Sequence, residues 1–338
     1  MTALTDVDFR SAYDGQRVCV TGGAGFIGSH LCHGLVRHGA RVRVIDDLSQ
    51  GLRENLRPLG DQVELVEASI LDRKAMAAAA DGAEVIFHLA AVASVPRSVA
   101  EPELYLRVNV DGTVSVLEAA RTCGAKRVVF SSSSSVYGDQ PDLPKVESMT
   151  LDPCSPYAAS KSAGEQFVRA YARCYSFSAV SLRYFNIFGP RQRPDSPYAA
   201  VLPLFAEALV RGRRVTVYGD GTQTRDFTHV DNAVHANLLA GATPRVLEGE
   251  AVNIATGRAM SVLDLLRAVA AVIGVEPAYE TGPPRPGDVL HSLAGLDRAR
   301  ELLGYEPVMD VQRGLEETVR YYVEHLPDVA ESVGGTVD

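Results

Sequence analysis

The chain has 338 residues, 46% hydrophobic and 22% charged, and carries a net charge of −9. Those proportions are ordinary for a globular protein and exclude a disordered or fibrous one; the length exceeds the roughly 250 to 300 residues at which single cores stop growing, which predicts one large domain with a smaller one. The acidic balance excludes a nucleic-acid binder, whose phosphate-tracking surface needs a clustered excess of Lys and Arg.

The first twenty residues hold no apolar h-region, and no stretch approaches ~18 uninterrupted apolar residues, so a cytoplasmic protein without a membrane partner is expected. Cys19, Cys32, Cys123, Cys154 and Cys174 are odd in number and widely spaced, with no CxxC and no His at metal-ligand spacing. They read as buried thiols, and no metal site is expected.

In chain order, the β-branched run at 17–20 (RVCV) predicts a first buried strand. It runs into Thr21-Gly22-Gly23-Ala24-Gly25-Phe26-Ile27-Gly28 and then a helix from Gly28 to His38. Glycines at 22, 25 and 28 allow a tight turn, close approach of backbone N–H groups to a pyrophosphate, and close helix–strand packing. The second strand, 42–45 (VRVI), ends in Asp46, about twenty residues on. A carboxylate there accepts both ribose hydroxyls and repels a 2′-phosphate, which favours NAD over NADP.

Strands at 63–66, 84–89 and 127–130 alternate with helical spacing at Arg73–Ala80 and Leu104–Cys123. That rhythm predicts βαβ units in a parallel, doubly wound sheet. Ser133 follows the 127–130 strand, at the sheet edge where such folds bind ligands, and a helix over Tyr157–Tyr175 opens with Tyr157 and Lys161 four apart on one face. A tyrosine near pKa ~10 is a weak base at neutral pH, so each unit of lowering needs about 1.4 kcal/mol of preferential phenolate stabilisation. Lys161 and a nicotinamide charge are expected to supply it.

SAVSLRYF gives another strand; from about Gly189, Pro-rich turns and a GDG turn at 219–221 mark the smaller domain, and a helix at 230–240 with a strand at 251–255 returns to the sheet. The expected division is therefore a Rossmann domain over 14–188 joined by 230–257, a substrate domain over 189–229 and 258–326, and a tail over 327–338, whose last ten residues look frayed. His88 and His229 read as packing or turn residues.

Together, the glycine pattern, Asp46, Ser133 and the Tyr157/Lys161 pair resemble the extended short-chain dehydrogenase/reductase family over residues 15 to about 325. SSSSSVYGDQPDLPKVE, PCSPYAASKSAGEQF, LRYFNIFGPRQ, YGDGTQTRDFTHVDN and RPGDVLHSLAG resemble UDP-sugar 4-epimerases block by block. The resemblance implies an α/β Rossmann-type fold with a smaller, mostly C-terminal substrate domain, and a homodimer paired as a four-helix bundle through helices at about 104–123 and 157–175. It implies catalysis by Ser133, Tyr157 and Lys161, and NAD held by Gly22, Gly25, Phe26, Ile27, Gly28, Asp46, Asp47, Ser69, Ile70, Leu89, Ala90, Asn109, Tyr157, Lys161 and Tyr184. Ser69 departs from the family's usual adenine-contacting Asp.

For the UDP-sugar, the resemblance implies diphosphate binding by Asn186, Arg225 and Arg285, Tyr218 near the uracil, and sugar contacts from Ser134 and Ser135. Dehydratases of this family carry Asp-Glu at the latter two positions and decarboxylases carry Glu at the second, so the serines imply that the 4-keto sugar can only take hydride back. Ser292 matches a gate residue that is small where an N-acetyl group is admitted. Arg193, in GPRQRPD, resembles the Arg of glucuronate epimerases and could clamp a C6 carboxylate. The expected reaction is UDP-glucuronate to UDP-galacturonate, with UDP-glucose or UDP-N-acetylglucosamine 4-epimerisation as the alternative; a 4-ketosugar reductase and a non-catalytic NAD sensor are the other classes.

Overall fold

A computed structural model of the chain describes residues 8–175, 177–193, 201–283 and 290–332. The β-branched runs form β1 (Arg17–Thr21), β2 (Arg41–Asp46), β3 (Val63–Glu67), β4 (Val85–His88), β5 (Arg127–Ser133), β6 (Ser178–Tyr184) and a seventh strand, Glu248–Ile254. They make one sheet in the order seventh-β6-β5-β4-β1-β2-β3, every pair parallel. All residues of β4 and β6 are buried, as helices on both faces require. The direction of strand addition reverses between β3 and β4, so the C-terminal ends of neighbouring β1 and β4 flank the crevice at the switch point.

Helices Phe26–Arg37 and Val230–Ala242 cover one face; Arg73–Ala80, Gly112–Cys123 and Pro156–Tyr175 cover the other. Local chemistry sets their ends. Asp72 accepts from the N–H groups of Lys74 and Ala75 to start one helix, and Gly124, at φ 72°, ends another in the left-handed conformation that glycine tolerates. The segment expected as one helix over Leu104–Cys123 instead contains a π-helical turn, Leu106–Asp111, between Pro102–Tyr105 and Gly112–Cys123. Gly112 lies against Ile70, where a Cβ would come within 2.5 Å of Ile70 Cδ1.

The smaller unit packs Val201–Val210, Val262–Ile273 and Val311–Ser332 around Phe188, Phe205, Leu266 and Val319, beside the parallel pair Val215–Tyr218 and Tyr279–Gly282. Three boundaries differ from the sequence reading. The packed core begins before residue 14, because Tyr13 of helix Phe9–Tyr13 is fully buried and donates to Leu238 O at 2.8 Å. Residues 294–305, assigned above to the substrate domain, join the sheet's own core: Ala294, Leu296, Ala299, Leu303 and Tyr305 are buried there, and the Tyr305 hydroxyl donates to Ala255 O at 2.9 Å. The last helix continues through Ser332, into the stretch expected to fray. The cysteines also divide: Cys19 and Cys32 are buried, but Cys154 lies on an exposed loop and Cys174 on the solvent side of its helix's last turn. Among the described residues, no helix is long and apolar enough to cross a membrane.

Candidate active site

β1 delivers the chain into Gly22, at φ 70°, where a Cβ would stand 2.7 Å from Ala90 N. At Gly28 a Cβ would collide with the Gly22 carbonyl oxygen, so only glycine lets the Phe26–Arg37 helix seat against the turn. Gly25 caps that helix without a side chain, which leaves the first-turn N–H groups, Phe26 and Ile27 included, facing the crevice unsatisfied by any cap. Asp46, at the end of β2, is buried; its two oxygens accept from Ala24 N and Leu48 N, both at 2.9 Å. Burial pushes its carboxyl above the usual range and these two bonds oppose the rise. Each oxygen keeps lone-pair capacity for a ribose hydroxyl.

Around this cradle, Leu89 and Ala90 leave β4 with their N–H groups tied to Thr21, and Asn109 clamps Val92 through both ends of its amide, at 2.8 and 3.0 Å. Ser69 closes a local turn onto Leu71 N, and Ile70 is core. Asp47 is exposed and caps its own loop at Ser49. Tyr184 lies beneath the floor, its hydroxyl 3.1 Å from Ser131 Oγ and accepting from Asn237 Nδ2 at 2.7 Å. A crevice floored by glycines, with free helix N–H groups at one end and a fixed carboxylate at the other, fits a dinucleotide.

Ser133 ends β5 and Tyr157 opens the Pro156–Tyr175 helix, which brings the Ser133 hydroxyl close enough to the phenol to favour its ionised form. Ser135 donates to Ser133 Oγ at 2.9 Å and so orients it. Lys161, 4% exposed, donates to Ser131 O at 2.8 Å above the Phe130 ring, and burial lowers its pKa to about 8. The phenol behaves differently from the expectation: burial raises the Tyr157 pKa, and the nearby Ser133 hydroxyl only partly opposes this. In the protein alone, burial outweighs the Ser133 contribution and keeps the phenol neutral, so deprotonation needs further positive charge beside it.

One helical turn after Lys161, Glu165 accepts from Ser132 Oγ at 2.5 Å and forms a fully buried ion pair with Arg183 at 2.7 Å. The sequence reading missed this pair. Its helical half was visible as a carboxylate four residues beyond Lys161, but the partner on β6 is a tertiary neighbour. Asp226 was missed too: it is buried and accepts from Thr256, Gly257 and Ala294, pinning the Arg225 loop to the sheet's edge.

At the substrate end, Asn186 (φ 39°), Tyr218 and Arg225 line one cavity of about 440 Å³ between the sheet edge and the smaller unit. Ser292 N donates to Thr224 O at 3.0 Å, which brings Ser292 beside Arg225. Arg193 is exposed. Arg285 lies outside the described residues. A second cleft, about 520 Å³, opens at the opposite end of the strands, where Arg17, Arg41 and Arg43 face Asp61, Glu64 and Asp81 and the charges offset.

A doubly wound parallel sheet with this cradle and a Ser-Tyr-Lys cluster at its edge defines an NAD-dependent enzyme of the extended short-chain dehydrogenase/reductase type. The chain belongs to the NAD dependent epimerase/dehydratase family, which it matches over residues 18–255. It is 42% identical over 311 residues to a UDP-glucose 4-epimerase of Mycolicibacterium smegmatis, covering 91% of this chain and 98% of that one. Among solved structures it resembles a UDP-N-acetylglucosamine 4-epimerase from Methanobrevibacter ruminantium (38% identity, 92% and 99% covered, TM-score 0.88) and a UDP-glucose 4-epimerase from Thermotoga maritima (38%, 92% and 100%, TM-score 0.86). These relatives place it among the nucleotide-sugar 4-epimerases, which are isomerases.

Proposed function

We propose that the chain inverts C4 of a UDP-linked hexose through a transient 4-keto sugar, and that the preferred sugar has an uncharged C6. The observation that carries the reaction is the meeting of Ser133, Tyr157 and Lys161 beside the crevice with serines, not carboxylates, at 134 and 135. When bound, NAD supplies an acceptor for the C4 hydride and returns it. Tyr157 takes the C4 hydroxyl proton and gives it back, Ser133 holds that oxygen in line, and Lys161 lowers the cost of the phenolate. With no acid at Ser134 or Ser135 to assist elimination, the ketone's only easy exit is reduction. Asn186, Arg225 and Arg285 hold the diphosphate and Tyr218 the uracil side; guanidinium forks suit phosphate oxygens.

The similarity to UDP-glucose and UDP-N-acetylglucosamine 4-epimerases, whose sugars carry a hydroxymethyl group at C6, supports an uncharged C6. The half-buried Ser292 leaves room for an N-acetyl group at C2. UDP-glucuronate is the second reading, favoured by the Arg193-Pro194-Asp195 sequence itself. We also propose a homodimer through the two long helices beside the site. Incubating the enzyme with UDP-glucose, UDP-N-acetylglucosamine and UDP-glucuronate, then resolving C4 epimers by chromatography, tests the assignment. Epimers from a neutral sugar without consumption of added NADH are expected; turnover of UDP-glucuronate alone would restore the second reading, and net NADH oxidation would mark a reductase.

A further inference from the structure

His88 ends β4 and is 2% exposed, yet both ring nitrogens are engaged: Nδ1 lies 2.8 Å from Thr21 Oγ1 and Nε2 3.0 Å from Thr113 Oγ1. The neighbours fix the protons. Thr113 Oγ1 is 2.6 Å from Asn109 O; two oxygens that close need a proton between them and a carbonyl has none, so the Thr113 hydroxyl donates there. With its single proton committed, Thr113 must accept from His88, and Nε2 carries the hydrogen. Thr21 Oγ1 accepts from Ala90 N at 3.1 Å and donates to Nδ1 of the neutral ring. Burial, with Lys161 nearby, holds the imidazole pKa down at about 3, so the ring is uncharged.

The chain of bonds therefore has one direction throughout, and its two ends reach different parts of the site. Thr21 and Ala90 lie where β1 and β4 end, the two strands that flank the dinucleotide crevice. At the other end, Asn109 Nδ2 donates to Ser160 Oγ at 2.9 Å, and Ser160 Oγ donates to the carbonyl of Tyr157 at 2.7 Å. We propose that His88, as its Nε2–H tautomer, is a positioning residue that ties the cofactor crevice to the first turn of the helix bearing Tyr157. The proposal rests on Tyr157 being the proton-transfer group, but the bond network and its tautomer stand independently of which sugar is used.

Two measurements on the NAD-bound enzyme test it. Nitrogen-15 NMR of the imidazoles at neutral pH should show His88 protonated at Nε2 and bare at Nδ1; an Nδ1–H or doubly protonated ring would overturn the network without reference to activity. Two substitutions then separate its arms. His88→Asn puts an amide oxygen near the Nδ1 position and keeps the Thr21 arm, so NAD retention should hold while kcat falls, by up to ~100-fold for a displaced catalytic group, with KM little changed. His88→Gln puts an amide N–H near Nε2 and keeps the Thr113 arm, so kcat should stay nearer wild type while NAD dissociates about 10-fold faster, the worth of one lost hydrogen bond. Equal effects of the two changes on kcat and NAD release, or none, would show an ordinary core histidine. An enzyme that epimerises no UDP-sugar yet passes the NMR and NAD-release tests would fault the functional assignment and not the network.

Discussion

Burial pushes the Tyr157 phenol toward its neutral form and lowers the Lys161 pKa to about 8, so at neutral pH the site still holds one buried ammonium. Tyr157→Phe should leave NAD binding intact and lower turnover by at least ~100-fold, the lower bound for losing a positioned acid/base; near-normal turnover would remove Tyr157 from proton transfer. Lys161 gives a pH signature. Its pKa is about 8 in the fold against an ordinary lysine value of 10.5, so the unfolded chain binds the extra proton between those pH values and folding stability rises with pH across that window. Below pH 8 the buried cation costs up to ~3 kcal/mol in the NAD-free protein. The stability advantage of Lys161→Met over wild type should therefore shrink from pH 8 to 10.5 in denaturant titrations, and parallel curves would refute the burial cost. Asp46→Ala should weaken NAD binding and relax discrimination against NADP; an unchanged cofactor preference would take Asp46 out of the site. At this scale the placement of Tyr157 and Lys161 on one helix, and of Asp46 at a strand end, was readable because spacing along one element is itself the signal. Glu165–Arg183 and the His88 bonds were not, because their partners lie on separate elements that meet only in the finished fold.

At the scale of elements, the glycine turn and its helix form one unit. Gly28→Ala would drive a methyl group into the Gly22 carbonyl, and the helix must shift to relieve it. Overpacking of this kind costs about 1 to 3 kcal/mol, so both the melting temperature and the NAD content of the purified protein should fall. A variant that keeps both would show that the approach is looser than drawn. Strands and helices were legible where periodicity and caps agree, as at Arg73–Ala80 with Asp72 before it. The π-helical turn at Leu106–Asp111 was not, because a single widened turn carries no composition signal of its own; it holds Asn109 inward against Val92.

In the whole molecule, Leu106, Phe167 and Tyr175 expose apolar surface on the two long helices that we propose as the dimer interface. Sedimentation at micromolar concentration should give a dimer, and Phe167→Glu should shift it to monomer; a monomeric wild type would dismiss the interface. That the chain returns to the sheet was readable in the helix at 230–240 and the strand at 251–255. That residues 294–305 also return was not, since a short amphipathic helix such as Asp297–Leu303 gives no sign of which core it will face. The seventh strand, Glu248–Ile254, has a consequence for synthesis. When residue 188 emerges from the ribosome, β6 is a bare apolar edge, and the Arg127 guanidinium still lacks the carbonyls of Ala240, Thr243 and Arg245 to which it donates in the finished fold. At roughly 5 to 20 residues per second the nascent chain waits several seconds with that edge open. Unpaired strand edges recruit other chains, so a fragment ending near residue 190 should be recovered as aggregate, and the full-length chain should depend on chaperones during translation more than on any step after release.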